Sequence, residues 1–166
     1  MNTKILVLFI LILISCNNDS VYKNEYSKLL GINSSAKVEI VEINDEFGGF
    51  GEGFSIEVYN VDKASVDKFL SKDNKDLPDN HNGWNKYGWD TVALDTSYDF
   101  VLAITFNRGT KNSTLSNKLE TIKKKLSTEG CYYAFYYYPE LENVRKVKFF
   151  ILDSLNTRFY AIESFI

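Results

Sequence analysis

The chain has 166 residues, 45% hydrophobic, 15% aromatic and 25% charged, with a formal net charge of −3 at pH 7. A domain of that size buries roughly two thirds of its unfolded surface, enough for a core that needs no staples. The mildly acidic balance speaks against a nucleic-acid footprint, which requires a basic face.

Met1–Lys4 is a short positive lead, Ile5–Ile14 an unbroken apolar run of ten residues, and the chain turns polar at Ser15, Asn17, Asn18 and Asp19. As a helix the run is about 15 Å long, half of a hydrocarbon core of roughly 30 Å. It is too short for a permanent span and suits the apolar region of a secretory signal. Ordinary signal cleavage wants small residues at −1 and −3, and Leu13 is not small. Leu13-Ile14-Ser15-Cys16 instead resembles the lipobox of bacterial lipoprotein precursors. That resemblance implies a diacylglyceryl group on the Cys16 thiol and cleavage that leaves Cys16 as the new N-terminus. Two or more acyl chains hold a protein stably where one is marginal, each buried methylene contributing about 0.8 kcal/mol. Asn17 stands where an aspartate would resemble an inner-membrane retention signal, which points to the outer membrane. The division expected is therefore residues 1–15 as signal peptide, 16–20 as lipidated cysteine and tether, and 21–166 as one globular domain. Loss of Lys4 with the signal moves the side-chain balance from −3 to −4. Cys131 is then the one thiol left in the body, so no disulfide framework is available.

Tyr22, Tyr26, Leu29 and Leu30 fall at helical spacing, stopped by Gly31, a suitable residue just past a helix end. Ala36–Ile43 is β-branched and alternating, and Phe54, Ile56 and Val58 alternate with Ser55, Glu57 and Tyr59. These predict two strands joined through the glycine-rich Asp45–Gly53. Asp62 is placed to cap a helix, with Val61 and Val66 as a hydrophobic staple and Phe69 and Leu70 continuing the stripe. Ser71–Lys86 reads as the least ordered part of the body, closed by Trp84 and Trp89. Val92–Leu94 and Phe100–Phe106 are apolar runs expected to be strands. Ser113 or Asn112 caps the clearest helix, with Leu115, Leu119, Ile122 and Leu126 on one stripe and Lys123–Lys125 complementing its negative end. Gly130 ends it. Three strands follow, Cys131–Tyr138, Lys146–Asp153 and Arg158–Phe165, the last two joined by a hairpin. Strands grouped around a few helices, without regular βαβ alternation, predict an α+β fold. The expectation is one domain with a mainly antiparallel sheet of about five or six strands and two or three helices packed on it.

Gly48-Gly49-Phe50-Gly51-Glu52-Gly53 lacks the Gly-Lys-Ser/Thr and the following helix of a phosphate cradle. It reads as a hairpin tip, with Phe50 as a contact residue if exposed. Together with the aromatic hairpin Phe149–Asp153 and Phe159–Glu163, the segment resembles small bacterial proteins with a Gly-Gly-Phe-x-Gly-acid-Gly stretch, here one residue shorter; the resemblance implies a compact domain and assigns no activity. Cys131–Tyr138 holds six aromatic residues in eight positions. As a strand it sends Cys131, Tyr133, Phe135 and Tyr137 to one face and Tyr132, Ala134, Tyr136 and Tyr138 to the other. Either both faces are buried or one presents tyrosines, whose flat rings and hydroxyls suit glycan stacking and protein interfaces.

His81 sits in the polar Asp79–Gly83 and Cys131 at the start of a core strand, so neither a Cys–His pair nor a zinc ligand set is built from them. Asp153 and Glu163 fall on adjacent strands, the spacing class of a carboxylate hydrolase. Asp73–Asp79 lacks the calcium-loop pattern and reads as a solvated loop. The expected function is a lipid-anchored envelope protein, a non-catalytic binding or interaction module for an envelope protein or a glycan. It needs no cofactor or metal and binds no nucleic acid. Its candidate binding residues are Tyr132, Tyr136, Tyr138, Phe50, Trp84 and Trp89, with Cys16 as the lipidation site. A carboxylate-dependent hydrolase, a toxin-neutralising or inhibitor protein, and a purely structural envelope protein are the alternatives.

Overall fold

The structure is a computed structural model and describes residues 25–31, 38–47, 52–73, 75–79, 83–91, 94–107 and 113–166. Cys16 with its signal and tether, Tyr22, Gly48–Gly51 with Phe50, His81, Val92 and Asn112 lie outside those residues.

Residues 25–29 are helical (α1), closing on Gly31 at φ +59°. Two strands follow, β1 (Val38–Phe47) and β2 (Gly53–Val61), paired as an antiparallel hairpin with an irregularity between Ile40 and Glu42. Asp62 caps α2 (Lys63–Leu70): its Oδ1 accepts the Ser65 N–H at 2.9 Å, while Val61 and Val66 are both buried as a staple requires. Then come β3 (Asn85–Asp90), α3 (Asp99–Phe106) and α4 (Ser113–Lys125). The chain finishes with β4 (Cys131–Tyr138), β5 (Lys146–Asp153) and β6 (Arg158–Phe165), with the bounds that alternation predicts. The strands form one six-stranded sheet in the order β1-β2-β6-β5-β4-β3, every neighbouring pair antiparallel. The fold is α+β in a single domain.

Both faces of the sheet are covered, because the inner strands are apolar at odd and even positions alike. On one face Tyr59, Ala134, Tyr136, Phe150, Leu152, Phe159 and Ala161 pack against α1 and α2 through Tyr26, Leu29, Val66 and Phe69. On the other, Phe54, Ile56, Tyr133, Phe135, Phe149, Ile151 and Ile162 pack against α3 and α4 through Val101, Ile104, Leu115 and Leu119. Aromatic rings run across this second face: Tyr87 stacks on Phe135 at 5.0 Å and Phe135 on Phe149 at 5.4 Å. Each such pair is worth about 0.5–1.5 kcal/mol beyond its burial.

Three expectations are corrected. Phe100–Phe106 is not a strand but part of α3. A short apolar run satisfies either period, and its ends decide: Asp95 accepts the Ser97 N–H at 2.8 Å to start a 3₁₀ turn, Thr96–Tyr98, that winds into the helix. Asp99 then sits in the first turn, where an acid complements the dipole. Ser164 locks the helix onto β6 by donating from Oγ to the Ile104 carbonyl at 3.0 Å. Of Val92–Leu94, Leu94 belongs to no regular element. The supposedly solvated Asp73–Asp79 is partly a strap: Leu77 is buried, the Lys75 carbonyl accepts the Trp89 N–H at 2.8 Å, and the Pro78 carbonyl accepts the Tyr136 hydroxyl at 2.6 Å. β3, inside a stretch with no clear alternation, has no counterpart among the predicted strands.

Candidate functional site

The tyrosine-bearing face of β4 is covered at Tyr136 and open at Tyr138. Tyr136 is 1% exposed, its ring under the strap and its hydroxyl taken by Pro78, which makes it a core residue and removes it from ligand contact. Trp89 is buried and donates from Nε1 to the Leu29 carbonyl at 3.1 Å. Tyr132 is half-buried, edge-on to Phe69 at 5.3 Å, with the Lys75 ammonium 5.9 Å from its ring centre. Tyr138, at 40% exposure, is the open one, and Trp84 lies beside it with ring centres 5.9 Å apart. Of the six residues singled out in the sequence, the structure thus gathers Trp84 and Tyr138 at the far end of β4. Phe50 lies outside the described residues.

The paired-carboxylate arrangement does not form. Asp153 pairs across the sheet with Arg158 and faces the α3–α4 layer, whereas Glu163 pairs with Lys148 on the opposite face. Each carboxylate is also engaged elsewhere: Asp153 with Lys125 at 2.7 Å and Glu163 with Lys148 at 2.7 Å. Among the described residues no group of three or more His, Cys, Asp and Glu could hold a metal ion.

A concavity lies instead where α4 turns into β4. Gly130, at φ +79°, reverses the chain after the helix, and a Cβ there would meet Leu155 Cγ at 2.7 Å. The reversal leaves a cleft of about 800 Å³ whose apolar wall is Leu94, Leu102 and Leu126, bordered by Cys131 and Tyr133. Thr91, Thr128, Lys123 and Glu129 stand along it as the polar contribution. The volume lies within the range of small-molecule sites. Sequence reasoning placed Leu126 in a helix stripe and Cys131 in a strand, but gave no sign that Leu94 and Leu102, far apart from both in the chain, would join them. The one available signal was Gly130, which forces the turn that opens the cleft.

The thiol and the phenol that border the cleft are both held in their protonated forms. Burial pushes the Cys131 thiol pKa up, the Asp153 carboxylate adds to this, and Lys125 opposes it without reversing it. The thiol therefore stays protonated at neutral pH, and the thiolate is the nucleophile. Tyr133 is likewise held neutral: burial first, then Tyr87 and Asp90, raise its pKa. Tyr87 in turn donates to Asp90 Oδ2 at 2.9 Å.

Comparison of this chain with protein-family models, with curated proteins and with solved structures found no match.

Proposed function

We propose that this chain is a lipid-anchored protein of the bacterial cell envelope that acts as a non-catalytic binding module, and that the cleft at the α4–β4 junction is its ligand site. The anchoring part rests on Leu13-Ile14-Ser15-Cys16 and the apolar run before it. The binding part rests on one observation: an open cleft of about 800 Å³ with leucine walls, whose only thiol is held protonated. A ligand that fits this lining has an apolar body, seated against Leu94, Leu102 and Leu126, and a polar head that reaches Thr128, Lys123 or Glu129. A single acyl chain with a charged or hydroxylated head belongs to that class. The aromatic sheet is then the rigid wall behind the site rather than the contact surface.

Titration with dodecanoate, followed by tyrosine and tryptophan fluorescence and by thermal unfolding, tests the reading. Saturable one-site binding is expected, together with a raised unfolding temperature, since a ligand that binds only the folded state stabilises it. Leu126→Trp, which fills the cleft from its partly open side, should weaken binding at least ten-fold while unfolding cooperatively. Absence of saturable binding, or equal affinity in the filled variant, would overturn the assignment of the cleft.

A further inference from the structure

The two edges of the sheet are finished differently. The β3 edge is closed by the strap: Trp89 donates its N–H to Lys75, and Lys86 reaches Asp76 at 2.9 Å, the Leu77 carbonyl at 2.9 Å and Asp79 at 2.7 Å. The β1 edge has no strand beside it among the described residues. β1 is ten residues long and contains neither lysine nor proline; the charges that guard this free edge against pairing with its like are acids, Glu39, Glu42, Asp45 and Glu46. After the irregularity at Ile40/Glu42 its register with β2 is unbroken from Glu42 to Phe47, so this stretch is a regular template. Val41 and Ile43 are 44% and 50% exposed along it.

A hollow lies on each side of this strand. One, of about 430 Å³, is formed with α4 and contains Glu42, Asp45, Glu46 and Lys118. The other, of about 340 Å³, lies on the α1 side and contains Glu25, Asp45, Glu57, Glu163 and Lys148. Six carboxylates thus line the two hollows against two lysines, and both lysines are already paired: Lys118 with Glu42 at 2.5 Å and Lys148 with Glu163 at 2.7 Å. Glu57 is oriented by two phenols, the Tyr26 and Tyr59 hydroxyls both donating to its Oε2. Burial, and after it Glu57, hold the Tyr26 phenol far above its ordinary range, so it stays a donor. Glu46 Oε2 is buried without a hydrogen-bond partner, as is Lys118 Nζ in the same hollow apart from its ion pair with Glu42, so the Glu46 oxygen remains an acceptor that a further cation would satisfy.

An added strand sends alternate side chains to the two faces of a sheet, and therefore into both hollows. We infer that the β1 edge receives an extended, lysine- or arginine-rich segment of a partner protein as a seventh strand, with main-chain hydrogen bonds supplying affinity and the acid-lined hollows supplying selectivity. A second copy of this chain is the poorer occupant, because antiparallel pairing of two β1 strands would bring Glu42, Asp45 and Glu46 of each near their like, and facing like charges destabilise a sheet. This surface lies at the opposite edge of the sheet from the strap and does not depend on the cleft being a ligand site.

The test uses the full chain in non-ionic detergent and three capped nonapeptides: one of lysine and valine with lysines at both odd and even positions, so that each face of an added strand carries some, the same sequence with proline at its centre, and the first sequence with glutamate in place of lysine. Fluorescence anisotropy of labelled peptide should show the basic peptide binding at least ten-fold more tightly than either of the others. Amide exchange should slow in Glu42–Phe47 on binding. The double variant Asp45→Lys/Glu46→Lys should weaken capture at least ten-fold. Because the peptide series is read on the unsubstituted protein, the result stands even if the variant folds poorly. Equal binding of the proline peptide would reduce the contact to loose charge attraction and overturn strand addition, as would no binding of the basic peptide. Self-association lost on charge reversal would assign the edge to a second copy and overturn the partner.

Discussion

Asp153 shows how a carboxylate that reads as chemistry in the sequence becomes architecture in the fold. Its side chain is 3% exposed, and it accepts the backbone N–H of Asn156 at 3.1 Å and the Asn156 amide at 3.0 and 2.9 Å while Lys125 approaches to 2.7 Å. It therefore fixes the β5–β6 turn and ties the end of α4 to the sheet in one group. Burial on its own would raise the Asp153 pKa, but Lys125 and the Asn156 donors outweigh it and the net shift is downward. A lowered folded-state pKa contributes stability that is present above the unfolded value, near 3.9, and is lost as pH falls through the folded one. Asp153→Asn should cost about 2–3 kcal/mol at pH 7, since it removes charged hydrogen bonds and leaves a half-buried Lys125 unpaired. Urea unfolding at pH 7 and again near pH 2.5 should show the gap between variant and parent narrowing in acid. An unchanged gap would mean that the carboxylate's charge does not contribute.

At the scale of elements, the turns do as much as the helices and strands they join. Gly130→Ala places a side chain at φ +79°, and a left-handed conformation costs a residue with a Cβ about 1–2 kcal/mol. The new Cβ would also press on Leu155, yet that side chain is exposed and can move, so Leu155→Ala in the same protein should restore little of the loss in denaturant unfolding. A near-complete restoration would assign the cost to crowding instead. The last three strands, the α2 cap at Asp62 and the helix-ending glycines Gly31 and Gly130 were legible from alternation and turn chemistry, both local in origin. Phe100–Phe106 was not, because a seven-residue, mostly apolar run fits a strand or a helix equally and the choice was made by the Asp95 turn and by the need to cover one face of the sheet. Nor was the strap, whose value lies in carbonyls of Lys75 and Pro78 that accept from residues 14 and 58 positions away. Side-chain patterns carry no trace of where a backbone carbonyl will find its donor.

For the molecule as a whole, the double covering of the sheet explains why tyrosine density misleads about contact surfaces. The same alternation that sends Tyr132, Tyr136 and Tyr138 to one face cannot say how far along the strand the covering layer reaches; it reaches past Tyr136 and stops before Tyr138. The cleft was invisible for a related reason, since its walls come from Leu94, Leu102 and Leu126, brought together only by the packing of α3 against the end of α4. The anchoring proposal lives at this scale too. No helix among the described residues is long and apolar enough to cross a membrane; in the anchoring proposal it is Cys16 that makes the attachment. Cys16→Ser should shift the protein from the detergent-extracted membrane fraction to the soluble envelope fraction on immunoblotting; a variant that still sediments with membranes would sink the lipobox reading. The strand order has a temporal consequence as well. β6 lies between β2 and β5 and is synthesised after both, so a nascent chain halted before Arg158 holds two ribbons, β1–β2 and β3–β4–β5, with no strand ladder between them. Folding that waits for such a late keystone is slow in onset, and under the envelope proposal that delay would keep the polypeptide in the slack, threadable form that a narrow secretion channel accepts.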